Sequence, residues 1–283
     1  MKLDNLIEGI VIKRPSKIIK SPYVADISME NKEILGHTAS LGCCGLADVG
    51  ANILMKKIDK KHSNNKNSDK IKCEYRVYLS CYMDKERKQE VIVGIHPKLA
   101  EDLTEQALIK NCLSKLQNIK CYKRETCIYV ENKVNSRFDF SGIDKNGIPF
   151  IMEVKNVPLA DFEDITAVER KKKNYDQRDF NSKVAYFPDG YRKKKIDTVS
   201  PRALKHIREL TLIKKESKTR CIMCYVVQRT DVNSFAVSVI DPEYRNAVKN
   251  ALEYGIEIIV MVIQWNKDGE AYFVKDDLDL EIN

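Results

Sequence analysis

Residues 136–156 read SRFDFSGIDKNGIPFIMEVKN, and how this stretch folds decides the arrangement of the rest of the chain. Two strand-like runs flank Lys145-Asn146-Gly147, a length that suits a three-residue hairpin with Gly147 at the position needing positive φ. Strand side chains alternate between faces. Phe138, Phe140, Ile148, Phe150, Met152 and Val154 therefore share an apolar face, and Arg137, Asp139, Ser141, Ile151, Glu153 and Lys155 share the other. In the register that pairs Asp144 with Ile148, Asp139 lies opposite Glu153. Facing carboxylates repel unless something positive lies between them. A divalent cation and the Lys155 ammonium are the candidates.

The chain has 283 residues, enough for two domains with sizeable cores. Its composition, 43% hydrophobic and 32% charged, is that of a soluble globular protein. No apolar run approaches the roughly 20 residues of a membrane helix. The start, MKLDNLIEGIVIKRPSK, fits neither a secretory signal nor an Arg-rich transit peptide. Nine cysteines without framework spacing suit a reducing compartment. An intracellular protein of the cytoplasm or of the nucleoid or nucleus is expected. Cys221-Ile-Met-Cys224 lies in CIMCYVVQ, which reads as a buried strand, so its sulfurs point to opposite faces and pack in the core. The vicinal Cys43-Cys44 pair is read as structural too.

The net charge of +8 is concentrated. Residues 56–72 carry seven lysines against two aspartates, and residues 169–195 carry ten basic residues against four acidic ones. Localised positive segments on a near-neutral body suit a phosphate backbone. Solvated loops are the plainer account, and the Asn-rich KKHSNNKNSDK favours it for the first segment.

Residues 1–93 contain the β-like runs GIVIKR, YVADISM, ANILMKKI, YRVYLSCYM and EVIVGI, with a flexible-looking loop at 59–70. Five short strands in this length suggest an OB-like, nucleic-acid-binding barrel. Residues 94–283 read as an α/β domain with a mixed sheet, giving an α+β chain overall. His96-Pro97 opens a helix with Leu99, Leu103 and Ala107 on one side. A strand and the hairpin follow, then a charged, aperiodic segment at 161–183 read as an exposed loop or surface helix. Ser200-Pro201 starts a helix with Ala203, Leu204, Ile207, Leu210 and Ile213 inward, and Asp241-Pro242 caps another that ends at Gly255. Between and after them lie CIMCYVVQ and IEIIVMVIQW. Strand, helix, strand of that character implies a parallel pair with a right-handed crossover.

A phosphodiester resists hydroxide, so its hydrolysis needs charge neutralisation and an activated water, and Mg²⁺ or Mn²⁺ supplies both. Lys155, on the face of Glu153, is placed to stabilise charge on phosphorus. An Asp on one hairpin strand and Glu-x-Lys on the next resemble the PD-(D/E)xK nuclease pattern, within the matching α-β-β-β-α-β order. An ordinary cross-strand ion-pair cluster on an exposed sheet face is the bland alternative.

The chain further resembles the sugar fermentation stimulation protein A family, through NSRFDF, MEVKNVPL, YFPDG, ALKHIREL, VVQR, IDPEY and GIEI in order. GHTASLGCCGLADVGANILM is similar to that family's barrel motif. The resemblance implies an OB-like domain, a PD-(D/E)xK nuclease-like domain, DNA binding, and a divalent metal at Asp139 and Glu153 beside Lys155. It also implies Glu105, in LTEQAL, as a further metal ligand. Two departures stand out. His37-Thr38-Ala39-Ser40-Leu41-Gly42 replaces the family's His-Cys-Pro-Asn-Thr-Gly, and an insertion containing Arg170 to Lys173 precedes YFPDG.

Arg137, Arg202, Lys205, His206, Lys193 and Lys194 make up the expected nucleic-acid-binding set. His206 is at the edge of its helix's apolar arc, where a packed core histidine competes with a functional one. Arg202, Lys205 and Arg208 lie off that arc and either grip phosphates or solvate the helix. His37 is read as structural, in a turn of the barrel, and Tyr75, Tyr78 and Tyr82 as strand residues able to stack on bases. The expected function is metal-dependent hydrolysis of DNA. The alternative is a DNA-binding regulator with weak or no cleavage, and nothing in the sequence excludes RNA.

Overall fold

A computed structural model describes residues 1–38, 45–58, 72–85, 87–131, 133–188 and 199–282. The loop at 59–70, Cys43-Cys44, residues 39–42 of the altered barrel motif, Lys193 and Lys194 lie outside the described residues. The chain divides into two compact units, Met1–Leu99 with Gln264–Tyr272, and Ala100–Ile263 with Phe273–Asn283.

In the first unit, β1 (Ile7–Lys13), β2 (Val24–Met29), β3 (Lys32–Thr38), β4 (Asn52–Lys57) and β5 (Tyr75–Asp84) close into a five-stranded, OB-like barrel. Antiparallel pairs β1–β2, β2–β3, β1–β4 and β4–β5 build the wall. A parallel pair, Gly36↔Tyr75 to Thr38↔Val77, closes it. Alternation turns Ile27, Met55, Val77 and Leu79 into the interior, where all are buried. The sequence reading erred on the closing strand. EVIVGI forms β6 (Gln89–Gly94), which extends β5 outside the closed path, and KEILGHT supplies β3 instead. Its signal is weak because Lys32 and Glu33 are exposed and Gly36 interrupts the apolar run. That glycine is required, since a Cβ there would meet the Ile27 side chain at 2.1 Å. His37 thus lies on a strand, not in a turn.

The helix after His96-Pro97 is α1 (Lys98–Ile109). The chain continues with β7 (Cys121–Val130), β8 (Val134–Ile143), β9 (Pro149–Val157), β10 (Ala160–Asp161), α2 (Ala167–Arg170), β11 (Lys183–Phe187), α3 (Pro201–Glu216), β12 (Arg220–Val227), β13 (Val232–Val237), α4 (Pro242–Glu253), β14 (Glu257–Trp265), β15 (Ala271–Lys275) and β16 (Asp279–Glu281), the end of β14 and the start of β15 counting with the first unit. The main sheet of the second unit has the order β14-β12-β9-β8-β7. β9, β12 and β14 run parallel, and β7, β8 and β9 form an antiparallel meander, so the sheet is mixed as expected.

Helices α3 and α4 cover one face of this sheet. Ala203, Ile207, Leu210, Tyr244 and Val248 pack there with Ile151, Met223, Tyr225 and Val260. Cys221 belongs to that core, whereas Cys224 turns to the opposite face and meets Thr104 of α1 at 4.0 Å. Burial pushes both thiols up to about 12, which suits packing and not redox or zinc chemistry. Asp241 caps α4 by accepting from Tyr244 N–H at 3.0 Å, and Gly255, at φ +80°, follows the helix's last turn. Ser200 precedes α3 without a side-chain cap, and Pro201 alone marks the start.

A small second sheet, β10-β11-β13-β16, was not anticipated. The 161–183 segment that leads into it is not a bare exposed loop. Phe162 stacks on Tyr175 with centroids 5.4 Å apart, and Arg170 spans the Tyr175 ring and Asp161.

Candidate functional site

The hairpin adopts the expected register, from Ile143↔Pro149 to Phe140↔Met152, and Gly147 takes φ +84°. Continued by one pair, that register sets Asp139 against Glu153, but the ladder stops short. Val154 N–H donates instead to Asp139 Oδ2 at 2.7 Å. The aspartate side chain stands where a main-chain carbonyl would accept, so the backbone group remains satisfied while β8 parts from β9. On its other side β9 is fully paired with β12, Phe150↔Arg220 to Val157↔Val227.

A central strand is covered on both faces, and this corrects the exposed-face alternative. Ile151 packs against the α3 side together with Phe138, which the parity reading had assigned to the opposite face. Glu153 is 2% exposed. Its Oε1 meets both the Lys155 ammonium and His206 Nδ1, and His206 leans on the Phe138 ring. Its Oε2 is buried without a hydrogen-bond partner. Burial by itself would raise the Glu153 carboxyl; Lys155 and His206 outweigh it and hold the group below its ordinary value. Asp139 goes the other way. Burial, then the Glu153 charge, push it up to about 7, against the opposing pull of the Val154 N–H and Lys155. The two carboxylates are therefore close enough to perturb each other and are incompletely neutralised by the protein.

The remaining expected residues fall into three groups. Glu105 is not drawn to the pair: Arg124 Nη1 holds it at 2.6 Å and Tyr122 Oη donates to it at 3.2 Å. Arg124 also grips Glu101 and Asp102, and Glu101, one helical turn before Glu105, is the α1 carboxylate whose charge reaches Asp139. The family resemblance pointed to Glu105 alone, and nothing in the sequence singled out Glu101, one turn away on the same helix. Arg137, Arg202 and Lys205 are exposed on β8 and the first turns of α3, Arg137 pairing with Glu125 at 3.3 Å and Lys205 donating to Asn135 O at 2.7 Å. His206, expected among these cations, is 4% exposed and turned inward onto Glu153, out of reach of a strand on the surface. Arg208 points away and pairs with Glu243 of α4.

Among the described residues no three of His, Cys, Asp and Glu converge as a complete cation cage. A two-carboxylate site is nevertheless what Mg²⁺ or Mn²⁺ uses when waters and substrate oxygens fill the other positions. The buried Glu153 oxygen without a partner, beside a second, poorly stabilised carboxylate, fits such an ion.

Residues 98–269 match the family model described as "Sugar fermentation stimulation protein RE domain". The sugar fermentation stimulation protein homolog of Prochlorococcus marinus (strain MIT 9301) is 29% identical over 273 residues, 94% of this chain and 92% of that protein. The homolog of Clostridium perfringens (strain SM101 / Type A) is 26% identical, with 91% and 90% covered. In three dimensions the chain is similar to the structure of Pyrococcus furiosus SfsA in complex with Ca²⁺. The TM-score is 0.71 at 19% identity, covering 100% of this chain and 98% of that one.

Proposed function

The chain belongs to the sugar fermentation stimulation protein family, and we propose that it acts there as a divalent-metal-dependent nuclease, most readily on DNA. The observation that carries this is the unbalanced pair: Asp139, with its carboxyl pushed to about 7, beside Glu153 with a buried oxygen lacking a partner. Such a pair has little reason to exist in a framework, because it costs stability until a cation joins it. The nuclease-like reading of the second unit rests on the α1–β7–β8–β9–α3–β12 order and on Asp139, Glu153 and Lys155 within it. That a relative of the same fold is described with Ca²⁺ is consistent with a divalent ion here.

Asp139 and Glu153 would hold the ion, which when bound supplies Lewis acidity and a more acidic water. Lys155 presents its ammonium beside Glu153 Oε1, where it can stabilise charge that develops on a bound phosphate. His206 fixes the orientation of Glu153 from beneath. Arg202 and Lys205, exposed at the start of α3, and Arg137 on β8 offer cations to the phosphates on either side.

A regulator that binds DNA without cutting is the second reading. It is favoured by Glu105, which Arg124 and Tyr122 hold away from the pair. The two readings separate on a panel of single-stranded, duplex and structured DNA and RNA, incubated with Mg²⁺, Mn²⁺ or neither. Metal-dependent cleavage of any member supports the enzyme. A wild type that binds but cuts nothing removes it.

A further inference from the structure

The first unit carries a concentration of positive charge that the chemistry above does not use. β3, β5 and β4 are adjacent, and their registers set His37 beside Arg76 and Arg76 beside Lys56. Alternation directs the three outward, since Tyr75, Val77 and Leu79 of β5 point into the barrel. Two tyrosine–imidazole stacks flank the row. Tyr23 lies nearly parallel to His37, with centroids 6.3 Å apart and planes at 15°. Tyr78 lies over His96 at 4.8 Å.

Among the described residues no ion pair engages the row. Arg76 Nε and His37 Nδ1 are both buried without a hydrogen-bond partner, and no carboxylate pairs with Arg76 or Lys56. A buried donor without an acceptor is rare and costly, and the Arg76 Nε–H is one, on a guanidinium that is otherwise only partly covered. Its field is felt locally: after burial, the Arg76 charge is the next cause holding both His37 and His96 toward their neutral forms. Two neutral imidazoles do not add to the repulsion at Arg76. Tyr23, 37% exposed, keeps part of its ring open beside the row.

We propose that the outer barrel face at His37, Arg76 and Lys56 is a phosphate site that holds one nucleotide of a single-stranded nucleic acid, with Tyr23 stacking on its base. A planar guanidinium suits phosphate oxygens, and an adjacent aromatic ring suits a base, which together favour a nucleotide unit over a bare anion. The inference deepens the nuclease reading by naming a second holding point for the strand, and it rests on that reading only for its purpose.

The test measures binding of a fluorescein-labelled oligothymidylate by anisotropy in EDTA, across a salt series, so that no divalent ion takes part. Arg76→Gln should weaken binding by about tenfold or more and reduce the salt slope by roughly 0.7, the value for one single-strand phosphate contact. Lys56→Gln should change both in the same direction by less, and it serves if Arg76→Gln melts early. Tyr23→Ala should lose about tenfold in affinity with the slope unchanged. Inorganic phosphate should compete no better than sodium chloride of equal ionic strength. Stronger competition would assign the site to free phosphate and overturn the proposal. So would unchanged affinity and slope in Arg76→Gln and Lys56→Gln, or a wild type that binds no oligomer. Failure of the nuclease reading looks different: the oligomer binds in EDTA, yet Mn²⁺ produces no cleavage.

Discussion

Asp231 and Asp139 are both carboxylates of the second unit surrounded by other charges, and their surroundings answer them differently. Asp231 accepts from Arg229 Nε and Nη2 at 2.6 Å each and from Lys183 Nζ at 2.7 Å. Lys183 also donates to Phe180 O, and Arg229 to Pro158 O. Burial would raise the Asp231 carboxyl, but the two cations outweigh it and hold the group low. Around Asp139 the balance is reversed, with a second carboxylate as neighbour and its own carboxyl near neutrality. A saturated cluster is complete as folded and works as framework, tying β11 to the turn before β13. An unsaturated one keeps an uncompensated charge as folded, and the candidate-site reading rests on that difference more than on burial.

The largest effect that could break this contrast is on stability. Asp231→Ala leaves two cations buried without their shared anion and should cost about 3–5 kcal/mol in urea unfolding. A loss below about 1 kcal/mol would mean that saturation says little about role.

Next comes rate. Lys155→Ala should reduce Mn²⁺-dependent cleavage by on the order of 100-fold, about 2.7 kcal/mol of transition-state stabilisation. Affinity for the same DNA measured in Ca²⁺ should stay within a few-fold of wild type. If binding falls and there is no cleavage to lose, Lys155 serves a binder.

A smaller effect belongs to Asp139→Asn. The amide oxygen can still accept from Val154 N–H while the repulsion with Glu153 disappears, so metal-free stability should stay within about 1 kcal/mol of wild type or rise. The increase in Tm expected of the wild type in Mn²⁺ should largely vanish. Equal metal stabilisation in both proteins would place the ion elsewhere.

The smallest effect lies in the first unit, where a half-buried imidazole has one defined hydrogen-bond partner. His96 Nδ1 accepts from Lys98 N–H at 3.3 Å, which requires that nitrogen unprotonated. Burial, then Arg76, His37 and Lys98, lower its pKa to about 4. Because the folded value lies below the unfolded one near 6.5, the contribution is fully present above pH 6.5 and is lost as pH falls toward 4. The Tm should drop by roughly a few degrees between pH 7 and pH 5, and His96→Gln should flatten that part of the profile.

Much of the second unit was legible because its signals are local. Gly147 and the alternation around it set the hairpin, and the apolar arcs of α3 and α4 set which faces are buried. The small sheet was not, since β10 and β16 have only two and three residues and join segments far apart in sequence. At the candidate site, the proximity of Asp139, Glu153 and Lys155 could be read from the hairpin register. The inward turn of His206 could not, because its position at the edge of an apolar arc permits either direction. Nor could the Arg124 clamp on Glu105, which joins an α1 residue to β7 through side chains alone.

The bond from Val154 N–H to the Asp139 carboxylate has a practical consequence. The proton of that amide lies directly against the group whose charge state is in question. In a ¹⁵N–¹H spectrum its resonance should therefore move when Asp139 ionises or when a cation draws its oxygens away, and stay still when ligand binds only at the barrel. The protein carries a built-in spectroscopic probe of its own site, readable without label, substrate or turnover.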